Sequence, residues 1–282
     1  IDPSIDRYLE DHCLAGQAVL PVAMMSELFA EAAADATGAA PLAVEGFRLF
    51  KGVVLEDGPV ELGVWCAGES PHEDGLRLDL ELRGEGDRVH ALAAVIVGAR
   101  RPAPTGAPPV AAGEGVAGAA LYKERKLFHG PRFHAIDRVE VLENGEVVAT
   151  LLAAPTRDRW IEGAPPAPFA IDPLALDGIF QLAVLACRRR FGAPSLPSRY
   201  ERFAQDAGVL PARVRARLKV TEADDARLVA DCELFSGDGA LVARLEGYVC
   251  TVSASLEAAY AAAPPKPRKA RGKRRPRGAT GG

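Results

Sequence analysis

Apolar residues recur along this chain with two periods, which predict where the helices and strands lie. Val22, Met25 and Phe29 recur at the spacing of one helix face. Pro21 suits a first helical turn, so a helix is predicted over 21–36.

Other segments alternate apolar and polar residues, as half-solvated antiparallel strands do. The segment 76–83 does so with four leucines. Turn residues such as Asn144 and Gly145 separate these segments. The pattern predicts a second helix over 173–190 and strands over 42–55, 59–67, 75–83, 88–97, 136–142, 146–153, 213–221, 227–235 and 241–252.

The helices and strands fall into two halves of similar length. A Pro/Gly/Ala-rich stretch between them has almost no large apolar residue, so it is predicted to be a linker. Each half has one apolar helix and several antiparallel strands, which a sheet wrapped round a central helix satisfies. Two copies of that hotdog arrangement predict an α+β double hotdog, and a generic pair of α+β domains is the alternative. The predicted division is an N-terminal hotdog (1–99), a linker (100–118), a C-terminal hotdog (119–255) and a tail (256–282).

Positive charge is concentrated at the C-terminus. Residues 264–282 hold eight Lys or Arg and no acid, so the remaining 26 bases and 38 acids give the body a net charge of −12. A Pro/Gly-rich basic tail without apolar anchors is predicted to be disordered. It also lacks aromatic residues for stacking on bases, so a linker or docking role is favoured over nucleic-acid binding.

Cysteine usage and hydropathy predict a cytoplasmic protein without a membrane partner. The five cysteines form no CxxC pair and are odd in number, which supports neither a metal site nor a disulfide framework. The longest apolar runs are too short to span a bilayer. The chain begins at Ile1 without a signal-peptide pattern, so it is interpreted as a segment of a longer protein.

His12, Gly16 and Pro21 form an HxxxGxxxxP motif directly before the first predicted helix. A chain of this composition gives about 0.04 such matches by chance. A neutral imidazole can remove a proton from the carbon beside a thioester carbonyl. A backbone N–H near Gly16, helped by the helix N-terminus, is suited to stabilise the enolate oxygen that develops. The alternative is a loop histidine held by a neighbouring group.

Asp177 and Gln181 share one face of the second predicted helix, among apolar residues. Burial raises the pKa of such a carboxyl and keeps it protonated near neutral pH, as a general acid requires. Gln181 is suited to orient it. A purely structural role, facing the helix dipole, fits Asp172 better. A base in one half and an acid in the other together predict loss of water from a 3-hydroxyacyl thioester, giving an α,β-unsaturated thioester.

These motifs resemble those of polyketide synthase dehydratase domains, and more closely the dehydratase-like domains of polyunsaturated fatty acid synthases. Four segments carry the resemblance, in the family's order, over about residues 1–255. In chain order they are His12…Gly16…Pro21, His129-Gly130-Pro131-Arg132-Phe133, Leu176-Asp177…Gln181 and Leu196-Pro197. The second of these is similar to the family's Tyr-Gly-Pro-x-Phe.

The resemblance implies a 3-hydroxyacyl substrate carried on the phosphopantetheine of an acyl carrier protein, with no metal and no diffusible cofactor. His12 is then the base, Asp177 the acid, and Gly16 lies by the thioester. Neighbouring synthase domains are implied partners, and a homodimer is a further expectation because many relatives pair. The other motif residues are expected to line the substrate tunnel: Pro21, Gly130, Pro131, Phe133, Leu196 and Pro197.

Three positions depart from the family pattern. His129 stands where the family has a tyrosine that helps to hold the leaving hydroxyl, so it either substitutes or weakens that step. Asp172 replaces a histidine before the proline of the second motif, and Ser198 replaces a phenylalanine after Leu-Pro, which changes the tunnel. Same-fold alternatives stay open: a catalytically silent scaffold or acyl-binding domain, a double-bond isomerase, a thioesterase, and a cyclisation-directing domain.

Overall fold

The helices and strands lie within the residues that the computed structural model describes, namely 1–56, 58–100, 104–109, 115–143 and 145–262. The helices are α1 Val22–Thr37, α2 Gly118–Lys123, α3 Pro173–Phe191 and α4 Leu256–Ala261. The strands are β1 Cys13–Leu14, β2 Gln17–Val19, β3 Ala40–Leu49, β4 Val54–Leu55, β5 Gly63–His72, β6 Gly75–Arg83, β7 Val89–Gly98, β8 Val116–Ala117, β9 Ile136–Glu143, β10 Glu146–Leu152, β11 Ser195–Arg199, β12 Arg202–Gln205, β13 Arg213–Ala223, β14 Arg227–Phe235 and β15 Leu241–Val252.

One antiparallel sheet of twelve strands runs through both halves of the described chain. Its order is β5-β6-β7-β3-β11-β15-β14-β13-β10-β9-β8, and β12 pairs with both β15 and β3. The halves meet where β3 pairs with β11 and β12, for example at Val44 opposite Phe203. A separate three-stranded sheet joins β1, β2 and β4.

Each half of the sheet packs on one central helix. Helix α1 packs against β3 and β7, α3 packs against β10, and the two helices contact each other. Every residue of α3 from Pro173 to Cys187 is buried, as expected of a helix enclosed by a sheet. The α+β double hotdog predicted from the sequence is confirmed. In the described part of the chain, no helix has the length and apolar content needed to cross a membrane.

The strand predicted over 42–55 is wrong as a single element. Strand β3 ends at Leu49, and β4 belongs to the three-stranded sheet instead of the large one. The chain turns between them, where the backbone N–H groups of Phe50 and Lys51 both donate to the carbonyl of His90. Strands β11 and β12 match no predicted strand; both are short, and β11 includes Pro197.

The predicted linker over 100–118 makes backbone hydrogen bonds to the second half in its described part. Leu241 N donates to Pro104 O at 2.9 Å, and Gly106 N donates to Gly239 O at 3.2 Å. A Cβ at Gly106 would lie 2.4 Å from the ring of Phe235. The boundary at 118 is also too late, because β8 and the first residue of α2 precede it. Backbone hydrogen bonds hold this segment without large apolar side chains.

The predicted disordered tail over 256–282 is wrong at its start. Residues 256–261 form α4, and the ring of Tyr260 is buried while its hydroxyl donates to Ser195 O at 2.7 Å. Leu256 and Tyr260 supply the apolar anchors that the basic stretch lacks. The basic stretch itself lies outside the described residues.

Candidate active site

His12 is held by a small β-hairpin that precedes α1. His12 follows a 3-10 helix (Arg7–Asp11) and lies opposite Val19, where β1 begins and β2 ends, and Val19 N donates to His12 O at 3.0 Å. Ala15 and Gly16 form the two-residue turn, with φ of 52° and 76°. Positive φ at both turn positions is what a tight hairpin needs, and glycine adopts it at little cost.

The hairpin also sets the tautomer of His12. Its Nδ1 lies 2.7 Å from the carbonyl oxygen of Val19, which can only accept, so Nδ1 carries the hydrogen. The lone pair is therefore on Nε2. Burial lowers the pKa of His12 to about 4, so the ring is neutral at physiological pH. A neutral imidazole with a fixed lone pair is equipped to act as a base.

Asp177 lies one turn into α3, with its side chain buried beside the His12 loop. Burial raises the pKa of Asp177 to about 7, and the hydrogen bond from Gln181 opposes that rise. Gln181 Nε2 donates to Asp177 Oδ2 at 2.7 Å. Because Oδ2 already accepts this bond, Oδ1 is the oxygen left to carry the proton. A neutral carboxyl group near pH 7 can donate it.

Tyr122 on α2 fixes the orientation of Gln181, and the sequence reasoning missed it. Its hydroxyl donates to Gln181 Oε1 at 2.6 Å and accepts from Ile136 N at 2.9 Å. With its oxygen occupied, Gln181 turns Nε2 toward Asp177 and toward Phe133 O at 2.8 Å. Tyr122 lies on a six-residue helix outside any motif, so no sequence signal pointed to it.

His129 is the third ionisable side chain of the site. Its Nε2 lies 3.3 Å from Asp177 Oδ2, and its ring centroid lies 5.4 Å from that of His12. Burial, reinforced by His12 and then His134, lowers the pKa of His129 well below its ordinary value. Its Nδ1 is buried without a hydrogen-bond partner in the described structure. His129 therefore lies beside Asp177, and its role in holding the leaving hydroxyl stays a prediction.

The loop that carries His129 is attached to the first half through Asp11. Gly130 N donates to Asp11 O at 2.8 Å, and a Cβ at Gly130 would lie 2.2 Å from Asp11 Oδ1. Only glycine permits this approach. Arg132 adds an ion pair with Asp11 at 2.7 Å. The His-Gly-Pro segment therefore spans the boundary between the halves at the site.

A second connection between the halves is made by Glu27, which no motif in the sequence singles out. Its carboxylate accepts from Ala170 N at 2.9 Å and Ile171 N at 2.8 Å, directly before α3. Burial raises the pKa of Glu27 to about 8, and the two backbone N–H groups oppose that rise. A glutamate on the buried face of an apolar helix was the available signal.

The residues predicted to line the tunnel do not share one environment. Phe133 is fully buried and packs against His12, whereas Pro131 is exposed, and their place in a substrate tunnel stays a prediction. Both residues belong to one 3-10 turn (Pro131–Phe133). Pro21 precedes α1 and is buried, and Leu196 and Pro197 pair with β15.

The structure therefore brings together part of the predicted site. His12, His129, Asp177 and Gln181 form one buried cluster. Among the described contacts of this cluster, none involves Gly16, which lies at the hairpin tip, where the adjacent Ala15 N donates to Ala259 O of α4. An oxyanion role for the backbone there stays a prediction.

Two family models match this chain. One, described as the polyketide synthase dehydratase N-terminal domain, matches residues 100–259, and another, described as the polyketide synthase dehydratase domain, matches residues 1–81. A polyunsaturated fatty acid synthase polypeptide of Thraustochytrium sp. is 30% identical over 212 residues, which is 73% of this chain and 8% of that protein. The chain thus spans a small part of that relative's length.

Solved dehydratase domains share the fold. The dehydratase domain of PpsC from Mycobacterium tuberculosis, in complex with C12:1-CoA, has a TM-score of 0.68 at 24% identity, covering 90% of this chain and 91% of that one. The dehydratase domain from the CurJ module of curacin polyketide synthase has a TM-score of 0.67 at 18% identity, covering 88% and 87%. The first family model alone matches more than half of this chain, so the chain belongs to the polyketide synthase dehydratase family.

Proposed function

We propose that this chain removes water from a 3-hydroxyacyl thioester on an acyl carrier protein, giving the α,β-enoyl thioester within a polyketide or polyunsaturated fatty acid synthase. The observation that carries the proposal is the meeting of a neutral imidazole from the first half with a buried carboxyl group from the second. A ring nitrogen of His12 and a carboxylate oxygen of Asp177 lie within 4.8 Å of one another. The family and the Thraustochytrium relative support the reaction class.

Each of the two side chains has one task. His12 Nε2 takes the proton from the α-carbon, and the electron pair of that C–H bond forms the new double bond. The bond from the β-carbon to the hydroxyl oxygen breaks, and Asp177 Oδ1 supplies the proton that completes a water molecule. Imidazolium and carboxylate remain, and proton exchange restores both before the next turnover.

His129 is proposed to contribute to the acid side of the reaction. It contacts the same oxygen of Asp177 that Gln181 holds. We propose that it replaces the tyrosine of the family in positioning the leaving hydroxyl. Proton transfer between these side chains and the substrate needs no diffusible cofactor, and the acyl chain arrives on phosphopantetheine.

The acyl carrier protein and the neighbouring synthase domains are proposed partners. An acyl thioester is also what the PpsC domain was solved with. A thioesterase with Cys13 as nucleophile is the least supported alternative. Burial raises the pKa of the Cys13 thiol to about 11, so little thiolate is present at neutral pH.

The reaction class is tested with the purified chain and a 3-hydroxyacyl thioester, presented on a carrier protein and on free pantetheine. Mass spectrometry should show loss of one water molecule, with faster turnover on the carrier protein. A Cys13→Ala variant is the matched control and should react at the wild-type rate. Release of free acid, or a moved double bond without loss of water, would replace the proposal with a thioesterase or an isomerase.

A further inference from the structure

Histidine at position 129 gives the site two imidazoles and one carboxylate that converge on one point. One nitrogen of His12, one of His129 and one oxygen of Asp177 all lie within 4.8 Å of one another, and all three residues are buried. His129 Nε2 and Asp177 Oδ2 are 3.3 Å apart. Two ligands about 2.0–2.2 Å from one tetrahedral zinc ion are separated by about that distance.

The hydrogen bonds that hold His12 and Asp177 are of the kind that orients metal ligands in proteins. His12 gives its Nδ1 hydrogen to a backbone carbonyl, which leaves Nε2 free to bind. Asp177 is held by Gln181, and Gln181 in turn is held by Tyr122. Two of the three ligand side chains are therefore fixed before any ion arrives, which lowers the cost of forming a site.

The third side chain, His129, is less fixed by hydrogen bonds than the other two. His129 Nδ1 is buried with no hydrogen-bond partner in the described structure, an arrangement that costs free energy in a protein interior. An ion bound through Nε2 requires the ring hydrogen to sit on Nδ1, and the positive charge of the ion is partly offset by the Asp177 carboxylate. Imidazole and carboxylate together suit zinc or cobalt better than magnesium.

We propose that His12, His129 and Asp177 form a binding site for a divalent transition-metal cation, with Zn²⁺ as the preferred occupant, and that the bound ion inhibits this domain. The ion would occupy the lone pair of His12 and hold Asp177 as a carboxylate, so neither could transfer a proton. Binding does not depend on the proposed function, whereas inhibition rests on it.

Binding is measured directly on the chelator-treated 282-residue chain. Isothermal titration with Zn²⁺ should give one site per chain, and titration with Co²⁺ should give the visible absorption of a low-symmetry site. His129→Phe and Asp177→Asn should each weaken Zn²⁺ binding by at least about 100-fold, because each removes a ligand. His72→Gln and Cys66→Ser, which remove a distant histidine and an exposed thiol, should leave it unchanged.

Circular dichroism of each variant confirms that it folds, and Asp177→Asn is nearly isosteric with the native residue. Binding that is absent from the wild-type chain, or unchanged in both His129→Phe and Asp177→Asn, would overturn the site. Dehydration by the metal-free chain that Zn²⁺ fails to slow would overturn the inhibition. If the metal-free chain does not dehydrate at all but still binds Zn²⁺ through His129, the proposed function fails and the metal site stands.

Discussion

Burial disfavours the charged form of both His12 and Asp177, and so it moves their pKa values in opposite directions. The pKa of His12 falls to about 4 and that of Asp177 rises to about 7. Between these values the base is neutral and the acid is protonated, so both are ready to react. The same apolar environment therefore prepares two side chains for different steps.

The pH dependence of kcat/KM should follow these two groups. Activity should fall below about pH 4, where His12 becomes protonated, and above about pH 7, where Asp177 loses its proton. Gln181→Leu should move the upper limb to higher pH, because its hydrogen bond lowers the pKa of Asp177. A rate that keeps rising to pH 9 would contradict the assignment of Asp177 as the acid.

Tyr122→Phe tests how the acid is oriented. Without the tyrosine hydroxyl, Gln181 is free to turn its amide, so kcat should fall about three- to tenfold, since one hydrogen bond is worth about 0.5–1.5 kcal/mol. KM should change little. Tyr200→Phe is the matched control, because it removes a buried hydroxyl bonded to Ser26 instead of to the acid. Equal losses of kcat in both variants would mean that Tyr122 is only structural.

Among individual residues, His12 and Asp177 could be predicted from the sequence, but the residues that support them could not. His12 and Asp177 lie in motifs whose spacing reflects a hairpin and a helix, both of which are local structures. Tyr122 and Glu27 act through contacts with residues 59 and about 143 positions away. Spacing along the chain carries no information on such contacts.

At the scale of elements, the beginning of α3 is fixed from several sides. Asp172 caps the helix through Ala175 N at 2.8 Å and also accepts from Ala154 N at 2.9 Å. Its own N–H donates to Gln205 Oε1. The helix-terminal role considered for Asp172 from the sequence is therefore what the structure shows. The first turn that carries Asp177 depends on this cap.

Asp172→Ala should destabilise the domain by about 1–3 kcal/mol, because the helix and Ala154 both lose their acceptor. Urea unfolding followed by circular dichroism measures the loss. Asp172→Asn keeps one carbonyl oxygen and should lose less than the alanine variant. Unfolding midpoints that match the wild type in both variants would show that the cap does not matter.

The two long helices were easier to predict than the short helices and strands, for a physical reason. The helices predicted over 21–36 and 173–190 match α1 and α3 within a residue or two, because each buries a long apolar face. Strands β11 and β12 escaped notice, since their partners β3 and β15 are distant in sequence. The segment taken for a linker is held by backbone groups, which composition does not reveal.

For the whole molecule, the continuous sheet implies that the halves fold as one unit. Strand β3 of the first half pairs with β11 and β12 of the second, and Glu27 and Asp11 add contacts across the boundary. The site takes its base from one half and its acid from the other. Weakening the contacts between the two halves should therefore move His12 away from Asp177.

Cooperative unfolding can be followed because the sequence has one tryptophan in each half, Trp65 and Trp160. In a Trp65→Phe variant, the fluorescence of Trp160 and the far-UV circular dichroism should share one urea midpoint. The converse variant, Trp160→Phe, should show the same coincidence at a lower midpoint, because it alters a buried ring. Separate midpoints for the two signals would mean that the halves unfold independently.

The most direct test of the proposed chemistry compares the wild-type chain with His12→Ala and Asp177→Asn in a single-turnover reaction with a 3-hydroxyacyl pantetheine thioester. Mass spectrometry follows the loss of one water molecule, and circular dichroism confirms that both variants fold. Each substitution should slow dehydration by about 100- to 10,000-fold. A wild-type rate in either variant would contradict the assignment of that residue and the two-residue mechanism with it.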